Sequence, residues 1–93
     1  MKVKLYVVIE TIYYEKYASI DSFVDNEMLY LSWHEAVKSM CELVKARAEQ
    51  SQNVKKLNID VYEETKKAIA SFNNGDDIHY FKVCELDTLD EES

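Results

Sequence analysis

The feature that most constrains this fold is a predicted helix that begins at Ser32 and continues to about Glu49. Ser32 and Glu35 form a capping box, because the serine oxygen can accept from the Glu35 N–H while the Glu35 carboxylate reaches back to the Ser32 N–H. Segments on both sides are typical of strands, so we expect this helix to cover a small sheet. Its apolar residues recur at helical spacing and predict one buried face: Trp33, Ala36, Val37, Met40, Cys41, Leu43, Val44 and Ala48.

The N-terminal segment, Met1 to about Thr11, alternates in a way that predicts a strand. Val3, Leu5, Val7 and Ile9 share one face, and Lys2, Lys4, Tyr6, Val8 and Glu10 share the other. If the helices cover the first of these faces, Tyr6 and Val8 lie on the uncovered one. Residues 15–27 are polar and acidic, which favours a loop, and 28–31 is a short second strand that leads into the Ser32 cap.

The segment after the first helix has two interpretations. Ser51 to Asn58 is predicted as a connector, and Asp60 with Glu63 repeats the capping pattern before a second helix over 61–72 that ends at Gly75. The alternative makes Asn74-Gly75 a hairpin turn between strands at 67–72 and 78–83. The scarcity of β-branched residues across 63–68 favours the helix. The last strand, Ile78 to about Leu86, is placed beside the first.

These elements predict a single α+β domain over residues 1–87. Its sheet is three-stranded and mainly antiparallel, in the order β-β-α-α-β, with both helices packed on one face. Residues 88–93 form an acidic tail that we expect to be frayed. A chain of 93 residues buries a modest core, so a partner could add to its stability.

The charge of the chain is −7 and is unevenly placed. Seven acids between Asp76 and Ser93 stand against Lys82 alone, and four acids lie between Ala18 and Val37 without a lysine or arginine. Direct binding to nucleic acid needs a clustered positive surface, so a basic protein partner is the better expectation. No apolar run is long enough to span a membrane and no signal peptide opens the chain, which predicts a cytoplasmic protein with reduced cysteines.

Catalytic and metal-binding constellations are not recognisable in the sequence. His79 and Cys84 are five residues apart on a predicted strand and point to opposite sides, so a site with His34 and Cys41 cannot assemble four ligands. One glycine cannot build a phosphate-binding loop or a nucleophile elbow. We therefore expect no cofactor, no metal and no enzymatic activity.

Two candidate partner-binding surfaces follow from composition. Tyrosine is enriched at protein interfaces, and Tyr6, Tyr30 and Tyr80 are candidates for an uncovered sheet face that serves a protein partner or a homodimer. The alternative function is thus a small homodimeric regulatory or ligand-binding domain that associates through this face. The acidic candidates would instead mimic nucleic acid toward a basic groove: Asp21, Asp25, Glu27, Asp76 and Asp77.

The layout resembles a group of small phage and prophage α/β proteins. The matching residues are Leu5-Tyr6-Val7-Val8-Ile9, the helix start from Ser32 to Ala36, and Val83-Cys84-Glu85-Leu86-Asp87. Residues 45–77 fall outside the resemblance, and Leu31 stands where the group usually has an aromatic residue. The resemblance implies a mobile-element setting, in which small acidic proteins often bind and inhibit a host factor such as a defence nuclease, in the manner of an anti-CRISPR protein.

Overall fold

The computed structural model describes residues 4–25 and 28–87. These residues form one antiparallel sheet of five strands with a single α-helix on one side. A short 3-10 helix, Glu15–Tyr17, joins the first two strands. In chain order the main elements are β1 (Lys4–Tyr14), β2 (Ser19–Val24), α1 (Trp33–Gln50), β3 (Val54–Tyr62), β4 (Lys67–Asn74) and β5 (Asp77–Asp87).

The strand order across the sheet is β2-β1-β5-β4-β3. β1 pairs with β5 from Lys4↔Asp87 to Tyr13↔Ile78, which confirms that the last strand lies beside the first. β2 and β3 are the two edges. Short hairpins connect these edge strands to their neighbours. The β1–β5 pairing, in contrast, joins strands from the beginning and the end of the described chain.

The predicted first helix is confirmed as α1. The Ser32 side chain accepts a hydrogen bond from the Glu35 backbone N–H at 3.4 Å, so the N-terminal cap forms as expected. The apolar stripe packs onto the sheet, with buried residues at helical spacing: Trp33, Ala36, Met40 and Val44.

The core lies between α1 and one face of the sheet, which we call the helix side. Side chains of paired residues share a face and successive residues alternate, so the register assigns every strand residue to a side. The helix-side core residues of the strands come from β1, β4 and β5: Val8, Ala68, Ala70, Phe72 and Phe81. The opposite face, on which none of the described helices packs, is called the open side.

The prediction of a three-stranded sheet with two helices is wrong, because the segment read as a second helix is a β-hairpin. β3 and β4 pair from Tyr62↔Lys67 to Val54↔Asn74, and a turn at residues 63–66 joins them. The burial of Ala68, Ala70 and Phe72 follows a period of two, and cross-strand packing on α1 outweighs the weak helical stripe. The alternative that placed a hairpin at this point is correct in its strands, but the turn that joins β4 to β5 is formed by Gly75 and Asp76, one residue later than Asn74-Gly75.

The loop predicted over residues 15–27 also contains a strand. β2 pairs with β1 from Tyr14↔Ser19 to Ile9↔Val24, and the hairpin turns through Ala18, which adopts a left-handed φ of 48°. The strand predicted at 28–31 is reduced to one bridge between Tyr30 and Tyr6. The predicted connector 51–58 is mostly the start of β3. Met1–Val3, Glu27 and the tail 88–93 lie outside the described residues.

The covered face of β1 is the reverse of the one considered from the sequence. Tyr6 and Val8 lie on the helix side, and Leu5, Val7 and Ile9 lie on the open side. Both faces of β1 are apolar, so alternation alone does not identify the covered one. The deciding contact is Glu10, which shares the face of Val8 and receives a hydrogen bond from the helix residue Arg47.

Candidate functional site

Three of the five acidic candidates gather at one end of the sheet. Asp21 pairs with Ile12 on β1, and Ile12 pairs with His79 on β5, so Asp21 lies two strands from His79 on the helix side. Asp77 is two residues further along β5 on the same side. Two strand spacings and two residues along the strand put the Asp21 and Asp77 Cα atoms about 12 Å apart. With Asp76 in the adjoining turn and Glu15 in the β1–β2 connection, they form what we call the acidic end.

Of the other two acidic candidates, Asp25 is buried and does not belong to this group. Asp25 is only 4% exposed, so its carboxylate belongs to the interior and not to a docking surface. Glu27 lies outside the described residues. The burial of Asp25 has no local signal in the sequence, because Asp25 stands in a polar segment beside other acids.

The three candidate tyrosines do not share a surface. Tyr6 and Tyr30 bridge on the helix side, where both are half-buried against the core, and the Tyr30 hydroxyl lies 2.6 Å from the Ser39 hydroxyl of α1. Tyr80 lies on the open side and is 49% exposed. Of the three rings, Tyr80 alone stands in the centre of the uncovered face.

The open side carries a shallow groove of about 350 Å³ across β1, β5, β4 and β3. Two neighbouring cross-strand rows form its floor. The first row is Ile9–Lys82–Ile69–Asp60, and the second is Thr11–Tyr80–Ser71–Asn58. The groove therefore has Ile69 in its middle, with the Lys82 ammonium on one side of it and the Asp60 carboxylate on the other.

The open side does not share the acidity of the whole chain. Its described charged residues are Lys55, Lys67 and Lys82 against Asp60, a net charge of +2 by the register, whereas the full sequence has −7. Asp60 and Lys82 are exposed and make no ion pair within residues 4–25 and 28–87. Both charges are available to a partner.

A buried ion pair lies under the C-terminal half of α1. Glu10 is fully buried, and the Arg47 Nε donates to both of its carboxylate oxygens at 3.1 and 3.3 Å. His79 stacks on Phe72 at 4.7 Å nearby, and burial lowers the pKa of His79 although the charges of Glu10 and Asp77 act in the opposite direction. Sequence reasoning missed this group; the available signal was a glutamate inside an apolar strand.

A second polar contact holds the β3–β4 turn against the start of α1. His34 Nε2 donates to Glu63 Oε1 at 2.8 Å, and this hydrogen bond, with the charge of His34, lowers the pKa of Glu63. The Lys66 ammonium lies 4.9 Å from the Trp33 ring centroid, in a cation–π contact. Both contacts are on the surface and position the turn.

The described residues do not form a recognisable catalytic or metal centre. Within residues 4–25 and 28–87 no group of three or more histidine, cysteine, aspartate or glutamate side chains is placed to hold a metal ion. Cys41 and Cys84 are free and half-buried, on α1 and on the open side of β5. No described helix is long and apolar enough to cross a membrane.

Comparison of the chain with protein-family models, with curated proteins and with solved structures gave no match. What the coordinates define is an α+β domain with a five-stranded antiparallel sheet, one helix and two distinct surfaces. These surfaces are the acidic end and the open side.

Proposed function

We propose that this chain is a non-catalytic interaction domain that binds a host protein with a basic surface. In the mobile-element setting that the resemblance implies, the partner would be a nucleic-acid-binding host factor such as a defence nuclease. The domain would inhibit it, in a cytoplasmic setting, by occupying the surface that otherwise binds nucleic acid. This activity requires no cofactor and no metal ion.

The observation that carries the proposal is the acidic end. Two hairpins from distant parts of the chain bring Asp21 and Asp77 to one side of the sheet, with Asp76 and Glu15 beside them. The connection between β1 and β2 contains one lysine, Lys16, whose ammonium lies 5.6 Å from the Tyr17 ring centroid.

Electrostatic complementarity accounts for how such a surface would act. A negative end steers the domain toward a positive groove and raises the association rate. Because exposed charges are screened over about 8 Å at physiological ionic strength, binding should weaken as salt rises. It should also compete with nucleic acid for the same groove.

The test is a charge reversal confined to the acidic end, in the triple variant Asp21→Lys, Asp76→Lys and Asp77→Lys. The matched control reverses three exposed acids of α1, Glu35, Glu42 and Glu49, so that both variants change the net charge equally. Immobilised wild-type chain, variant and control are incubated with bacterial lysate in a salt series, with and without competing DNA. Retained proteins are identified and quantified by mass spectrometry.

We expect a nucleic-acid-binding protein that the wild type and the control retain, that the acidic-end variant loses, and that added DNA displaces. Circular dichroism of the two variants checks that both are folded. Retention that is equal for all three chains and indifferent to salt and DNA would show that the acidic end is not the binding surface.

A further inference from the structure

We propose that the open side is the interface of a homodimer, in which two copies pack face to face about a two-fold axis parallel to β4. The axis passes over Ile69. This inference goes beyond the proposed function, because it concerns a different surface and a different partner. It commits to a second copy of this chain as the occupant of the groove.

The open side has the apolar exposure that an interface needs. α1 packs on the helix side, and β3, β4 and β5 each present a large exposed apolar or aromatic side chain on the open side. Exposed apolar surface beyond scattered single residues is typical of an interaction site. Within the three strands that the dimer overlaps, the exposed fractions are Tyr62 at 53%, Ile69 at 41% and Tyr80 at 49%.

The charges on this face are self-complementary about β4. Lys82 and Asp60 are the direct cross-strand neighbours of Ile69 on β5 and β3, one strand spacing to each side. A two-fold axis along β4 exchanges the two sides between the copies. Lys82 of one copy then faces Asp60 of the other, twice, and Ile69 faces Ile69.

The next row follows the same symmetry with neutral groups. Tyr80 and Asn58 flank Ser71 on β5 and β3. The axis therefore sets the Tyr80 hydroxyl of one copy against the Asn58 side chain of the other, where the O–H can donate to the amide oxygen. An axis perpendicular to the strands would instead oppose Lys82 to Lys82, which like-charge repulsion disfavours.

The buried area and the charge of the interface determine the expected dissociation constant of this dimer. β3, β4 and β5 overlap over about 14 Å by 26 Å, or roughly 730 Å² for the two copies if both surfaces were flat. This area is below the roughly 1,200 Å² of a standard interface and predicts weak association. The described charges of the open side sum to +2 and those of the full sequence to −7, so a face-to-face dimer keeps the acidic surfaces apart, while the two positive faces repel weakly and lower the affinity. We expect dissociation at tens to hundreds of micromolar.

The test is sedimentation of the wild type and of a charge-swap series from about 10 to 1000 μM. Each single variant, Asp60→Lys or Lys82→Asp, sets like charges opposite each other in both reciprocal contacts and should raise the dissociation constant about tenfold. The double variant restores opposite charges with their positions exchanged and should recover most of the affinity. Lys45→Asp, on the exposed surface of α1, is the control and should dimerise like the wild type.

Three outcomes would overturn the proposal. They are a wild type that stays monomeric up to 1000 μM, single variants that dimerise as well as the wild type, and a double variant no better than the singles. A monomeric wild type would leave the groove to a different protein or a small amphipathic ligand. The acidic-end variant should still dimerise, so failure of this inference and failure of the proposed function are separable.

Discussion

Glu10 is the residue whose environment departs most from the expectation for its type. Its carboxylate is fully buried among apolar side chains of the helix side, and Arg47 is the group that neutralises it. A buried carboxylate stripped of its partner is strongly destabilising, whereas replacing both members of a pair by apolar residues is often neutral. Any other placement of α1 would leave the Glu10 carboxylate buried without its cation. The pair therefore fixes the C-terminal half of α1 on β1.

Replacing Arg47 with methionine keeps the length of the side chain and removes its charge. We expect Arg47→Met to lower the free energy of unfolding by about 3 kcal/mol at pH 7, the lower end of the range because the Arg47 side chain is 35% exposed. Urea denaturation followed by the fluorescence of Trp33 measures it. The double variant Glu10→Leu with Arg47→Met should recover most of the loss. A single variant within 0.5 kcal/mol of the wild type, by the usual scale of surface changes, would contradict this account.

At the residue scale, the sequence predicts what is local and misses what depends on distant partners. The Ser32 cap and the stripe of α1 follow from neighbours within one turn, and both are present. The burial of Glu10 depends on an arginine 37 positions away, and the burial of Asp25 also has no local signal. Val7 and Val8 are both buried, so their identities could not show which face the helix covers.

The hairpins are the elements that decide the fold. Gly75 and Asp76 form a two-residue turn between Asn74 and Asp77, and Gly75 has a φ of 61°, which matches the first central position of a type II′ turn. That turn fixes the register of β4 on β5. The capping pattern at Asp60 and Glu63 favoured a helix, but the alternating burial from Ala68 to Phe72 shows that tertiary packing overrode this local preference.

Placing a side chain at Gly75 tests how much the turn contributes. No atom lies within 4 Å of the position that a Cβ would occupy, so the cost of Gly75→Ala is confined to the left-handed backbone. We expect a loss of about 1–2 kcal/mol in the free energy of unfolding, and a smaller one for Gly75→Asn, since asparagine tolerates this conformation. Chemical denaturation gives both values, with Asp76→Ala, at the neighbouring turn position, as control. Equal stability of Gly75→Ala and wild type would show that the turn is formed differently.

At the scale of the whole molecule, the sheet is closed by its most distant pair of strands. β1 and β5 are adjacent in the middle of the sheet. The β1–β2 hairpin and the β3–β4–β5 hairpins can therefore form one sheet only after residues near the two ends of the described chain have paired. Closing a long loop costs conformational entropy, and this loss comes before the contacts that the closed loop allows can form. The sequence predicts the last strand beside the first, but the central position of this pair in a five-stranded sheet could not be predicted once a helix had been placed over 61–72.

We therefore expect folding to be slow for a chain of this size, in milliseconds or longer. Stopped-flow dilution from urea, with Trp33 as the probe, measures the rate, because Trp33 is the single tryptophan and is 5% exposed in the folded core. Gly75→Ala and Arg47→Met serve as references for which contacts form before the rate-limiting step. Complete folding within about 100 μs would imply that local contacts, and not the β1–β5 pairing, limit the rate.

The antiparallel β1–β5 pairing also determines how the domain responds to force. Lys4 and Asp87 are cross-strand partners at the same end of the sheet, so a pull applied at these two residues loads the ladder of hydrogen bonds one pair after another. Parallel terminal strands would share such a load along their whole length and resist by shear. This domain would unzip from its middle strands outward, and a motor that threads the chain from either end would open it at low force, whatever its stability against heat or urea.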